Sequence, residues 1–160
     1  MDYKDIELKK INVLEAKVYH GVDSLVFWTP EMYIPYGLSE YDNNWGKKYE
    51  IKASFRNAQG QFLKAFHQKI EGFDKILKEV YKNTEYQSLI KKGNLHLKVP
   101  NYKGKFTCGV KSSVEHLPTI YSVKPGCVIR FLVKMDRFWN YSGKSGCVMV
   151  IKEVFIVKGP

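Results

Sequence analysis

Cys127-Val128-Ile129-Arg130-Phe131-Leu132-Val133-Lys134-Met135-Asp136-Arg137-Phe138-Trp139-Asn140-Tyr141-Ser142-Gly143-Lys144-Ser145-Gly146-Cys147, running on through Val148-Met149-Val150-Ile151-Lys152-Glu153-Val154-Phe155-Ile156-Val157, is two β-rich runs about a short polar turn. In the first arm Cys127, Ile129, Phe131, Val133 and Met135 share one face of a strand, and Arg130, Lys134 and Asp136 share the other. Continued to the tip, the alternation puts Trp139 inside with Phe131 and Met135. It turns Phe138 outward with Arg130 and Lys134. The second arm, 147–157, is nearly continuous in apolar residues and reads as a central strand. A long hairpin with aromatics and cations at its tip suits single-stranded nucleic acid, because rings stack on bases and cations meet phosphates. Phe138, Trp139, Tyr141 and Lys144 are therefore the first candidate binding residues.

Upstream, residues 11–19 read as one strand and Leu25 to Trp28 as a short apolar run closed by Thr29-Pro30. Residues 38–46, polar but for Tyr41 and Trp45, read as an exposed loop. Lys48 to Phe55 alternates, with Tyr49, Ile51, Ala53 and Phe55 on one side and Lys48, Glu50, Lys52 and Ser54 on the other. Residues 57–60 read as a turn. Phe62, Phe66, Ile70, Phe73, Leu77 and Val80 recur at spacings of three and four. They predict one amphipathic helix, broken or bent near Gly72. Leu95, Leu97 and Val99 then begin further strands, with another at 106–110. Residues 114–122 fit no period, and Pro118 argues for an edge or a loop. Strands, one central helix, then strands predict a mainly β protein, an oligonucleotide-binding (OB)-like five-stranded barrel over a single domain, 1–160. A twisted sheet on one helix, an α+β fold, is the alternative.

The chain has 160 residues, 44% of them hydrophobic and 14% aromatic, which excludes disorder. Its net charge is +10, from 26 basic and 16 acidic residues. The excess is uneven: 6 basic against 9 acidic residues in 1–50, 10 against 4 in 51–100, and 10 against 3 in 101–160. That asymmetry points to a polyanionic partner, with a solvated lysine surface as the bland alternative. No run is long and apolar enough for a membrane span, and Met1-Asp2-Tyr3-Lys4-Asp5 begins no signal peptide. A soluble intracellular protein without a membrane role is expected. Cys108, Cys127 and Cys147 form no Cys-x-x-Cys pair and read as buried free thiols.

Two further clusters join the tip. Tyr102, Lys103 and Lys105, with Lys111 beyond, suit a loop lining a groove. Lys52 and Arg56 lie on the polar side of the alternating 48–55 strand. Catalytic patterns are poor by comparison. Gly143-Lys144-Ser145 lacks the glycine five positions earlier that a phosphate-binding loop needs, since Phe138 stands there. His20, His67, His96 and His116 are dispersed, so no metal and no cofactor are expected. Glu31, Glu40, Asp42 and Glu50 are too scattered for two-metal nuclease chemistry. The expectation is a binder and not an enzyme.

The stretch Leu25-Val26-Phe27-Trp28-Thr29-Pro30-Glu31-Met32-Tyr33-Ile34-Pro35-Tyr36-Gly37-Leu38, followed by a strand, a helix and the closing hairpin with Phe138-Trp139-Asn140-Tyr141-Ser142-Gly143-Lys144-Ser145-Gly146, resembles the small OB-fold single-stranded DNA-binding proteins of nucleocytoplasmic large DNA viruses. The resemblance covers roughly 25–157. It implies a viral protein of DNA replication, recombination or repair that coats exposed strands without sequence preference. It also implies that Phe138, Trp139, Tyr141 and Lys144 sit in the loop that clasps the strand. Many single-strand binders carry an acidic C-terminal tail that recruits replication proteins; this sequence closes on Val157-Lys158-Gly159-Pro160, so recruitment through such a tail is not expected.

The combined expectation is sequence-independent binding of single-stranded DNA. Lys52, Arg56, Lys103, Lys105, Lys111, Arg130, Lys134, Arg137 and Lys144 would track the backbone, and Tyr102, Phe138, Trp139 and Tyr141 would stack on bases. An RNA-binding module using the same face and a non-enzymatic structural or interaction protein are the rivals. A homo-oligomer is compatible with either.

Overall fold

The computed structural model describes residues 1–43, 46–56 and 60–160. Its strands are β1 (Ile11–Leu14), β2 (Lys17–His20), β3 (Asp23–Ser24), β4 (Val26–Trp28), β5 (Met32–Tyr33), β6 (Leu38–Asn43) and β7 (Gly46–Ser54). After the helix α1 (Gln61–Lys78) come β8 (Glu85–Gln87), β9 (Ile90–Lys91), β10 (Asn94–Lys98), β11 (Asn101–Tyr102), β12 (Lys105–Phe106) and β13 (Gly109–Ser112). The long hairpin β14 (Val128–Tyr141) and β15 (Lys144–Lys158) closes the order. The chain is therefore mainly β with one central helix.

β15 is the spine. One edge pairs with β14 along its length. The other edge pairs in parallel with β8, then β10, then β13. β10 continues to β7, β7 to β5, and β5 back to β14. These five strands form a partly closed ring, since β5–β7 and β10–β15 each meet at a single residue pair, Tyr33↔Ser54 and Lys98↔Val150. β1, β2 and β3 form a separate small sheet. It is tied to β14 by the Phe138 amide, which donates to the Ala16 carbonyl at 2.8 Å.

The alternation holds in β7 from Lys48 to Ala53, where Ile51 and Ala53 are buried and Lys48, Glu50 and Lys52 are not. It fails at Ser54, expected outward and found buried, with its hydroxyl accepting from the Arg56 amide at 3.0 Å. The apolar face of α1 supplies Leu63, Phe66, Ile70, Phe73 and Leu77 to the core. Phe66 and Phe73 both meet Phe27 of β4 edge to face at 6.1 Å, geometry that favours the ring quadrupoles. α1 is continuous through Gly72, contrary to the expected break. The glycine is there for close approach, because a Cβ would stand 2.6 Å from a methyl of Leu8.

Other expectations are corrected. Residues 11–19 are two strands, because Glu15 and Ala16 take positive φ (51° and 63°) and reverse the chain in a two-residue turn. Residues 38–43 are a strand, paired with β7 from Leu38↔Ile51 to Asn43↔Gly46. Trp45, and 57–59 of the expected turn, lie outside the described residues. The chief correction falls on β14. Met135 pairs with Met149 and Arg137 with Val148, so Asp136 is an extra residue in a β-bulge. The inward face passes from the odd positions to the even ones. Phe138 is fully buried and Trp139 half-buried, the reverse of simple alternation.

Candidate nucleic-acid interface

The hairpin tip is a two-residue turn, Ser142-Gly143, with φ of 53° and 77° between the paired Tyr141 and Lys144. Glycine meets that φ without strain. Tyr141 is 79% exposed, and Arg137 and Lys144 are exposed beside it. Trp139 lies over Gly146, where a Cβ would stand 2.6 Å from the indole. The tip is braced from behind. The Glu85 amide donates to the Gly143 carbonyl at 2.8 Å, and the Thr84 and Ser145 hydroxyls meet at 2.7 Å. Asp74 of α1 accepts from the Tyr86 and Ser88 hydroxyls at 2.6 Å each and from the Leu89 amide at 3.1 Å. Burial, then the hydrogen bond and charge of Asp74, raise the Tyr86 phenol well above its usual range. Phe138 is the floor of this brace. Its ring stacks near Tyr86 at 6.4 Å and leans on Tyr81 at 5.1 Å. It is unavailable to a base, which corrects its place among the binding residues.

Tyr102, Lys103 and Lys105 are exposed on the separate β11–β12 hairpin, with the Lys103 ammonium 5.4 Å from the Tyr102 ring. Lys52 lies on the outward face of β7. Arg56 is exposed just beyond β7, and its side chain lies against Gly93. Three other candidate cations are engaged within the protein. Arg130 donates to the Thr29 carbonyl at 3.1 Å and to Asp2 at 3.2 Å, and lies 5.5 Å over the Trp28 ring. Lys134 is 3.5 Å from Asp136, and Lys111 is 3.9 Å from Glu153. Lys111 and Lys134 pairs are exposed enough to exchange for a phosphate, whereas Arg130 locks the N-terminus to β14. The candidates thus fall into three patches: the tip, the β11–β12 hairpin and the outward face of β7.

That last face contains residues that sequence reasoning passed over. Tyr36, 62% exposed, has the Lys52 ammonium 5.5 Å from its ring. Tyr41 of β6 stands opposite Lys48, and His96 and Lys98 of β10 stand opposite Lys52 and Glu50. The signal for Tyr36 was its place before Gly37 at the end of an apolar run. The signal for Tyr41 was concealed by reading β6 as a loop. Conversely, the Thr29-Pro30 pair serves the scaffold. The Thr29 hydroxyl is buried, accepts from the Phe131 amide at 3.0 Å and donates to the Pro30 carbonyl at 2.9 Å.

Glu50 sits amid these cations, with the His96 ring 3.6 Å and the Lys52 ammonium 3.8 Å away. The His96 interaction first, then the charges of Lys52 and Lys91, outweigh burial and hold its carboxyl below the usual range. A carboxyl lowered by folding stabilises the fold above its unfolded pKa of about 4.3 and loses that contribution as pH falls through the folded value. Glu50→Gln is therefore expected to lower stability slightly at neutral pH, by under about 1 kcal/mol. The difference from the parent should shrink in denaturant melts as pH falls below about 4.3 and vanish once pH lies below the folded carboxyl's own, lower value.

Cys108 and Cys147 are not activated as nucleophiles: burial raises the Cys108 thiol and pushes that of Cys147 up to about 12. Among the described residues, no three His, Cys, Asp or Glu side chains converge as metal ligands, and no helix is long and apolar enough to cross a membrane.

No protein-family model matches the chain, and no solved structure matches it. A stretch of 67 residues is 36% identical to an uncharacterized protein of Acanthamoeba polyphaga mimivirus, a nucleocytoplasmic large DNA virus. The match covers 38% of this chain and 11% of that relative's length.

Proposed function

We propose that this chain is a non-enzymatic, sequence-independent single-stranded DNA-binding protein of viral-type replication, recombination or repair. The observation that carries the reading is the braced hairpin tip, where Tyr141 is 79% exposed beside Arg137, Lys144 and the half-exposed Trp139. An aromatic held out in water on a rigid support, with cations at its sides, is preorganised for stacking and phosphate pairing. The partly closed five-strand ring, with outward cations on its second and third strands (β7 and β10), suits an OB-like barrel, whose corresponding face and loops bind oligonucleotides. The relative in a large DNA virus favours DNA over RNA.

Fluorescence anisotropy of a labelled oligomer of about 30 nucleotides, as single-stranded DNA, single-stranded RNA and duplex, tests this. Tight binding that prefers single-stranded DNA is expected. Tyr141→Ala should weaken it about five- to tenfold, the lower part of the range for one stacked base, with little change in thermal stability. Preference for the RNA form would move the reading to an RNA-binding module. No binding, or equal binding to duplex, would overturn it in favour of an interaction or structural role.

A further inference from the structure

At the far end of the hairpin from the tip, a groove of about 540 Å³ runs between the β11–β12 hairpin and the segment that follows β13. Lys105, Phe106, Val110, Pro118, Ile120 and Tyr121 line it. Tyr121 is 65% exposed, yet its backbone is firmly held. The short 3-10 turn Ile120–Ser122 carries a reciprocal capping box between Thr119 and Ser122. Ile120 at its start and Val123 just after it are buried in the core, and Tyr121 lies between them. Its ring stands edge to face on Phe106 at 5.8 Å, and Phe106 stands edge to face on Tyr49 of β7 at 4.9 Å. An exposed ring thus ends a ladder of rings rooted in the ring of strands.

The surroundings are cationic. Lys103, Lys105, Lys111 and Lys124 all belong to 101–124, where Glu115 is the single acid. Of these four, Lys111 is the one in an ion pair, with Glu153, among the described residues. A protein partner's apolar side chain would fit the rings but not the uncompensated lysines. A nucleobase with its phosphate satisfies both.

We infer that this groove is a second stacking site for single-stranded nucleic acid, with Tyr121 as its platform and Lys103 and Lys105 as its phosphate contacts. The inference rests on the single-strand binding reading and extends it to a strand path with two ends. Lys144 at the tip and Phe155, the partner of Lys111, are eleven residues apart on β15. At the rise of a strand that is roughly 35 Å. An oligomer of about 5 nucleotides, near the lower end of single-strand site sizes, reaches one patch, and one of about 16, the upper end, spans both.

The test is anisotropy of labelled oligothymidylates of about 5 and about 16 nucleotides with the full chain, with Tyr121→Ala and Tyr121→Phe, and with Tyr141→Ala for comparison. It is paired with photocross-linking of an iodouracil-substituted oligomer and mapping of the cross-linked peptide. The expected result is that Tyr121→Ala weakens the longer oligomer about fivefold, that Tyr121→Phe, which keeps the ring, does not, and that cross-links map to Tyr121 or Phe106. Unchanged affinity for Tyr121→Ala alongside a loss for Tyr141→Ala would overturn the second site and leave the single-strand reading standing. The groove would then be left to a protein partner. Absence of binding by the parent chain would overturn both.

Discussion

Replacing Phe138 by alanine is expected to cost about 3–5 kcal/mol of folding stability and to lower the melting temperature by about 10 °C. The side chain is fully buried and contacts two tyrosines, so its removal leaves a void that the surrounding strands cannot close. The Asp74 network lies just behind it, joining α1 to the segment that pairs with the tip. Loss of the ring should therefore loosen the tip as well as the core. Chemical denaturation followed by circular dichroism gives the number. A variant melting like the parent while binding DNA more weakly would mean that Phe138 points outward and serves a base directly. Tyr141→Ala is the matched control at the surface, with an expected change within about 0.5 kcal/mol.

Affinity for single-stranded DNA is expected to fall roughly 100-fold between about 50 and 200 mM salt. The reasoning begins with which cations are free to meet phosphates. Arg130 is committed to Asp2 and the Thr29 carbonyl, and a strand would have to break those contacts to use it. Arg137, Lys144, Lys103, Lys105 and Arg56 are exposed, whereas Lys52 is half-exposed over Tyr36 with the Glu50 carboxylate 3.8 Å away. About five phosphates neutralised on a single strand give a slope near −3.5 in log K against log salt. Lys144→Ala should reduce the slope by about 0.7 and weaken binding equally for all sequences. Arg130→Ala should act on stability instead, by releasing the N-terminus from β14. A slope near zero would show that phosphates are not engaged and that the basic surface serves solvation.

Much of the architecture was legible because its causes are local. The three-and-four spacing from Phe66 to Leu77 became the buried face of α1, with Phe62 and Val80 left exposed. The alternation from Lys48 to Ala53 became β7 with the expected faces, up to the buried Ser54. Ser142-Gly143 is a turn chemistry that sequence announces. Glu15-Ala16 makes the same kind of turn with neither glycine nor asparagine, so tertiary pairing of β1 with β2 imposes it against local preference. Trp139 and Phe138 exchanged places because one residue, Asp136, is absorbed in a bulge. Alternation has no memory across an insertion, and a single acid between Met135 and Arg137 was its only trace. The candidate cations were identifiable as a population, but not which of them were spoken for. The partners of Arg130 lie about a hundred residues away in the chain and are brought beside it by the ring of strands. Tyr121 was hidden for the opposite reason, in a segment without period whose order comes from a cap and two buried neighbours.

The position of β15 has a kinetic consequence. One C-terminal strand supplies the shared edge for β8, β10 and β13 and the antiparallel partner for β14. Two of the ring's five pairings, and those of β8 and β13, therefore wait until β15 has been made, and they close loops of up to about sixty residues. Such non-local topology folds in milliseconds to seconds rather than microseconds. In that interval β8, β10 and β13 present bare edges. A nascent chain of this protein is thus most exposed to aggregation in the period before β15 has emerged and paired, when chaperone protection would matter most.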